Sequence, residues 1–514
     1  MNRICFVLAL GAGSVFTGAS SGQQTVTPAP SDSSIPPGSL NGRAALIQHA
    51  DLLDVIAGNH NMSAVELAKL LRADLSTYIT PEGRVFNVCP PAPDAPILAG
   101  HNAPPLARAD IPLDDFLNLE SNPGAPKTIY LDFDGHHSVN NSWGHDIVFP
   151  AWDRSRNPLE FSDSEKTMII GHWLEVVEDF AIFGNVNVTT KDPGLDALIK
   201  SNSSDENFGI RVIMSQITEG FGHGTGGIAL LNSFNDNIDN PTFVFNKGLN
   251  AGPQTASHEI GHTLGLRHDG LNGATYHPGS SGGATTWGPI MGGPFGRQLV
   301  QWSIGDYEGS TNTENDFAIM TNSSNGITLA PDDHPNGTSG GTTLISDVPA
   351  AGLITTATDT DAFTFTTTGG DVTIDLATVE VGPNIDLMFT LYRDAPFELV
   401  EEVSPAGTWL ASRAFPALPA GSYTIVVDGT FESKPSGPVS DYGSVGTYTV
   451  SMIETPTSQC LADTNNDGIL SPADFSAWVT AFNTQSPECD QNDDQDCSPA
   501  DFSAWVANYN AGCD

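Results

Sequence analysis

Positive charge is what this sequence has least of. Against 61 Asp and Glu it carries 19 Lys and Arg, a formal charge of −42 over 514 residues. A surface this acidic repels phosphate backbones and anionic headgroups, which excludes nucleic acid and anionic membranes as partners. It fits a soluble extracellular or salt-adapted protein with some calcium sites better than an acid-specific function. Long apolar runs are also missing. The one at residues 4–16 is too short to span a bilayer, so no membrane span is expected. Cysteine is scarce, at six.

That short apolar run follows Arg3 and leads into small residues around Ala19 to Gly22, the pattern of an export signal over 1–22. The mature chain is then expected to be secreted. Cys5 leaves with the signal, and Cys460, Cys489, Cys497 and Cys513 crowd the C-terminus. In an oxidising compartment two disulfides among those four are expected, with three connectivities open. Cys89 is left alone.

The chain is organised around residues 256–270, where His258, Glu259, His262, Gly265 and His268 spell HExxHxxGxxH. On a helix His258 and His262 lie one turn apart on one face and can reach one metal ion, with Glu259 beside them as a general base. At about 1.5 Å per residue, a continuing helix would carry His268 roughly 9 Å past His262, so the helix must stop between them. Gly265 is the residue that can end it in a left-handed turn. Three imidazoles on zinc leave a fourth position for water, the arrangement of a catalytic site.

This stretch resembles the metzincin metalloproteases, whose zinc motif is followed by a methionine turn. Residues 288–293 match that turn. The resemblance implies one zinc held by His258, His262 and His268, Glu259 as base and Met291 as the floor of the site. Asp269 after the third histidine is similar to the adamalysin, or reprolysin, branch, and the residues before His268 read equally like a matrixin.

A three- or four-domain chain is expected from length. After the signal, residues 23–124 read as a Pro/Ser-rich linker and a helical propeptide, with helical spacing over 43–57 and a capping box of Ser63 and Glu66. Metzincin zymogens are often silenced by a cysteine on the open zinc position, and Cys89 is the candidate here for such a switch, set against an ordinary buried thiol. Residues 125–327 form the expected α+β metzincin-like catalytic domain. Its expected elements are a strand at 128–135, a helix near 163–181, four further strands before the zinc helix, and a last helix at 314–320. The strand at 227–232 is expected to be the exposed edge that pairs with extended substrate. Asp132 and Asp134 are read as solvent-facing strand-end acids, and His136, His137, His145, His223 and His277 as ordinary loop histidines.

Residues 331–455 turn to short alternating strands at 361–366, 371–376, 387–392, 421–428 and 446–451, an all-β sandwich. The stretch resembles the pre-peptidase C-terminal domain of secreted bacterial proteases. Residues 460–514 hold a repeat of period 27. Asp463, Asn465, Asp467, Ser471 and Asp474 occupy positions 1, 3, 5, 9 and 12 of a calcium loop, and Asp490, Asn492, Asp494, Ser498 and Asp501 repeat them. Each loop runs into a helix that begins at Ser-Pro. Gly468 sits at the bend of the first loop and Gln495 at that of the second, so the second site is expected to be weaker. The pair resembles a small α dockerin-like domain binding one or two calcium ions, which implies a cohesin-like partner. A calcium- and disulfide-stapled terminal cap is the plainer alternative.

Together these imply a secreted zinc endopeptidase acting on extracellular protein or peptide substrates and tethered through its tail. The competing class is a non-catalytic extracellular binding or scaffold protein with a vestigial metal site.

Overall fold

The structure is a computed structural model that describes residues 36, 38–92, 111–155, 157, 160–218, 221, 224–280, 286–405, 410–431, 440–456, 460–467, 469–492 and 494–512. The export signal, Cys5, His223, Gly468 and Cys513 lie outside the described residues.

Residues 40–89 form a small α/β unit. Strand β1 (Leu40–Asn41) is followed by α1 (Gly42–Gln48), α2 (Leu53–Asn59) and α3 (Ala64–Ala73), then by β2 (Thr77–Ile79) and β3 (Val85–Cys89). Ser63 and Glu66 make the expected capping box on α3. The expectation of a purely helical region is corrected, because β1, β2 and β3 join the main sheet. Every residue of β2 and β3 is buried, whereas a lone hairpin would leave one face wet.

The sheet continues with β4 (Lys127–Asp132), and β5 (His136–Ser138) and β6 (Ile147–Phe149) form a side hairpin. Helix α4 (Asp163–Asp179) starts at a capping box of Ser162 and Glu165. Then come β7 (Val186–Thr189), β8 (Phe208–Met214), β9 (Gly227–Leu230) and β10 (Thr242–Val244), and the sheet order is β1-β2-β3-β9-β10-β8-β4-β7. Strand β9 is therefore not an edge. Its outer side is covered by β3, antiparallel, with Phe86 opposite Leu230 and Cys89 opposite Gly227. A second correction concerns Asp132, which is buried and ion-paired with Arg211 at 2.7 Å, while Asp134 is exposed as expected.

Helix α5 (Ala251–Leu264) packs across this sheet with Gly252 to Leu264 all buried. It ends at Gly265, with φ at +108°, where a Cβ would stand 2.3 Å from Asn232 Oδ1. Only glycine meets both demands. Strands β11 (Trp287–Pro289) and β12 (Leu299–Gln301) flank Met291, and α6 (Asp316–Met320) closes the region.

Nine strands follow: β13 (Thr342–Thr343), β14 (Ala350–Ile354), β15 (Asp361–Thr367), β16 (Gly370–Thr378), β17 (Leu387–Asp394), β18 (Phe397–Val403), β19 (Ala411–Leu418), β20 (Gly421–Gly429) and β21 (Gly446–Pro456). They make a five-stranded and a four-stranded sheet with alternating burial, the β-sandwich expected, with β13, β14, β18 and β19 added to the five strands read from sequence. The sandwich does not hang free. One continuous apolar core runs from Ile129 and Ile260 through Trp302 and Phe317 to Phe363 and Tyr448. Tyr442 stacks on Phe317 at 4.5 Å, and its hydroxyl accepts from Phe317 N and donates to Asn315 Oδ1.

Helices α7 (Pro472–Thr484) and α8 (Pro499–Ala511) complete the chain, capped by Ser471 and Ser498 with Pro at the first turn, as the repeat predicts. Cys489 is bonded to Cys497, and Cys460 is also disulfide-bonded.

Two buried carboxyls, Glu178 and Asp179, seal α4 to the sandwich. Glu178 accepts from Thr447 N at 2.9 Å and Thr447 Oγ1 at 2.5 Å, and burial lifts its pKa to about 7. Because the folded state keeps this proton to higher pH than the unfolded state, Glu178 costs stability progressively from its ordinary 4.5 up to about 7. Glu178→Gln removes that slope. In thermal melts with a chelator present, wild type should be more stable relative to the variant at about pH 5 than at about pH 8. An unchanged difference would contradict the assignment.

Candidate metal centre

The three histidines of the motif meet at one point. Helix α5 carries His258 and His262 on one face, their rings 4.8 Å apart, and the turn at Gly265 brings the His268 ring to 4.6 Å from that of His262. Each imidazole is fixed from its far side. His258 Nδ1 faces Ile290 O at 2.8 Å, His262 Nδ1 faces Leu266 O at 2.8 Å, and His268 Nδ1 faces Asp74 Oδ2 at 2.6 Å. With Nδ1–H donating, all three Nε2 atoms are left as bare acceptors. Those of His262 and His268 stand 3.0 Å apart with nothing to donate between them. Burial, and after it the charge of His268, lowers His258 to about 3 and His262 well below its ordinary value, so both rings are neutral. Neutral nitrogens aimed at one point are what a zinc ion binds.

The fourth donor is Cys89. Its Sγ lies 3.4 Å from His258 Nε2, 3.7 Å from His262 Nε2 and 3.4 Å from His268 Nε2, and the four donor atoms lie within 4.8 Å of one another. The donor set fits zinc. Burial, and after it Glu259, pushes the thiol pKa up, and a bound cation would reverse that by replacing the proton.

Glu259 is fully buried beside Cys89, with neither carboxyl oxygen hydrogen-bonded among the described residues, and burial raises its pKa well above the carboxylate range. It reaches the site because Gly227 lets β9 and α5 approach; a Cβ there would stand 2.2 Å from Glu259 Oε1. Met291 is fully buried in one core with Ile260 and Leu264, and its carbonyl accepts from Asp269 N at 2.8 Å.

Four residues at this site were not singled out in the sequence. Asp74 holds His268, and Asn87 places its amide 3.1 Å from His262 Nδ1. Tyr276 lies with its ring 4.4 Å from that of His268 and donates to Ser76 Oγ at 3.2 Å. Asp74, Ser76 and Asn87 come from a segment more than 160 residues away, and no local pattern marks them. His277, read as a loop histidine, is buried against Trp287 and Tyr307 and accepts from Gly279 N.

The C-terminal loops differ from expectation. The carboxylates of Asp490, Asp494 and Asp501 converge within 4.8 Å, whereas among the described residues those of the first loop form no such group. Asp463 and Asn465 cap the backbone of their own loop and Asp474 accepts from Ser471 N, as Asp490, Asn492 and Asp501 do in the second loop. Gln495 takes the left-handed conformation, φ +67°, at the bend where glycine was expected to be needed. Asn492 and Ser498 flank the second group, and Ser498 is engaged in capping α8.

Residues 187–269 match the family model described as metallo-peptidase family M12B, reprolysin-like. The match spans most of β7 to β10 and α5 with all three histidines and Glu259, and it supports a zinc-dependent metallopeptidase at family level over that stretch. No curated protein matches the chain. Among solved structures, the pre-peptidase C-terminal domain of a collagenase from Bacillus anthracis is similar at 16% identity, over 23% of this chain and 99% of that one, with a TM-score of 0.18. PliG, a periplasmic inhibitor of g-type lysozyme from Aeromonas hydrophila, is similar at 16% identity over 22% and 96%, with a TM-score of 0.15. The Yersinia pseudotuberculosis-derived mitogen is similar at 13% over 21% and 85%, with a TM-score of 0.15. Likenesses this remote carry no argument about the present chain.

Asp74 is the test of how the centre is held. Asp74→Asn keeps the shape but takes the carboxylate from His268 Nδ1–H, and metal affinity of the full chain should fall by about 10- to 100-fold in competition with a chelator. Unchanged affinity would mean that His268 needs no such partner.

Proposed function

We propose that this chain is a secreted zinc endopeptidase held latent by its own residues 40–89. The observation that carries the reading is the convergence of three Nε2 atoms with the Cys89 thiol, beside the unpartnered carboxyl of Glu259. Zinc, when bound, supplies a Lewis acid for the scissile carbonyl and acidifies the attacking water. The other roles fall to the chain. His258, His262 and His268 hold the ion. Glu259 takes the proton of the attacking water and hands it to the leaving amine. Strand β9 offers an extended substrate the hydrogen bonds that β3 now takes, and Met291 supports the floor. Cys89 holds the position that water needs, which supports latency, and Asp74 adds a further grip on His268 from the same unit.

The same four donors also suit a closed Cys-His₃ site, which favours the binding or scaffold reading as the alternative. On either reading we assign the tail to calcium binding, through the second loop first, and to docking on a cohesin-like partner.

Casein hydrolysis separates the two. The zinc-loaded full chain should be inert, and the chain cut between residues 92 and 111 and separated from residues 40–89 should hydrolyse casein in a chelator-sensitive way. Adding Glu259→Ala should leave one zinc bound and lower turnover by about 10²- to 10⁴-fold. Hydrolysis that survives Glu259→Ala would sink the mechanism. A cut and separated chain that binds zinc and hydrolyses nothing would favour the scaffold.

A further inference from the structure

Asn384 belongs to the sandwich, in the connection between β16 and β17, yet it is 3% exposed and faces the supports of the metal centre. Its side chain begins one route. Asn384 Nδ2 donates to Asp179 Oδ1 at 3.0 Å, and the other oxygen of Asp179 accepts from Ser257 Oγ. Ser257 is the residue before His258 on α5. Its main chain begins another. Asn384 O accepts from Gln301 Nε2, Gln301 O accepts from Ile290 N at 2.8 Å, and Ile290 O accepts from His258 Nδ1 at 2.8 Å.

Both routes are buried and held from further sides. Asp179, Ser257, Gln301 and His258 are each at most 5% exposed. Gln301 is held on its other side by Trp287 Nε1 at 2.7 Å, and the carbonyl of Asp179 by Trp302 Nε1 at 2.7 Å. In such surroundings a buried carboxylate stays where its donors hold it, because an unpaired oxygen there is costly. Asp179 therefore transmits the position of Asn384 to the helix that bears His258.

We infer that Asn384 is a positioning residue for His258, so that the β-sandwich is a working part of the metal centre. This rests on the metallopeptidase reading of that centre. Of the two routes, the side-chain one sets where α5 sits along its axis, and the main-chain one sets the tilt of the His258 ring.

The test uses the full chain loaded with zinc or cobalt, with four variants: Asn384→Leu, Ser257→Ala, Gln301→Leu and the double Asn384→Leu/Ser257→Ala. Each single change should speed zinc release by about tenfold and shift the visible absorption of the cobalt-loaded chain, a signature that a remote packing defect would not move. The double should be no worse than the worse single, because both changes cut one route. Zinc release and cobalt spectra unchanged in the singles would overturn the inference, as would effects that multiply in the double. If Asn384→Leu does not fold, Asn384→Ser combined with Ser257→Ala asks the same question. A wild-type chain that takes up no metal would instead overturn the metallopeptidase reading itself.

Discussion

Three imidazoles can share one ion only if each is stopped from turning, and the Nδ1 partners of His258, His262 and His268 are what stop them. Those partners come from three different places. Leu266 O is local, given by the chain reversal after Gly265. Ile290 O belongs to the methionine turn, held in register by β12. Asp74 belongs to the N-terminal unit. The motif thus supplies the ligands, and the rest of the fold supplies their orientation. This explains why helix α5 is buried along its whole length and why the sheet, the turn and the sandwich converge on it.

What could be read from sequence divides along the same line. The helix, its stop at Gly265 and the return of His268 follow from spacing alone, since helical geometry is fixed and only glycine suits a left-handed stop. The five sandwich strands were visible because alternation has a period of two. The strand at Gly227–Leu230 was legible as a strand and misread as an edge, since which strand pairs with it is decided 140 residues earlier. Asp132 was misread for a similar reason. Its partner Arg211 lies on another strand, and an acid at a strand end carries no local mark of being paired. Local signals encode elements; they do not encode neighbours.

The N-terminal unit does more than deliver a thiol. Tyr78, Phe86 and Val88 share a buried cluster with Trp143, Phe221, Phe243 and Ile228. Three such side chains bury free energy on the order of 5 to 9 kcal/mol. To this the β3–β9 ladder and the Asp74 contact must be added. On the latent reading, dissociating Cys89 from the metal centre would therefore not by itself open the cleft. While the unit remains tethered, its local concentration favours rebinding. A cut in the chain between residues 92 and 111 would remove that advantage without weakening any contact. The latent state would then be undone by dilution rather than by competition at the ion, and the strength of the docking, not of the thiol, would set how fast the cleft is freed.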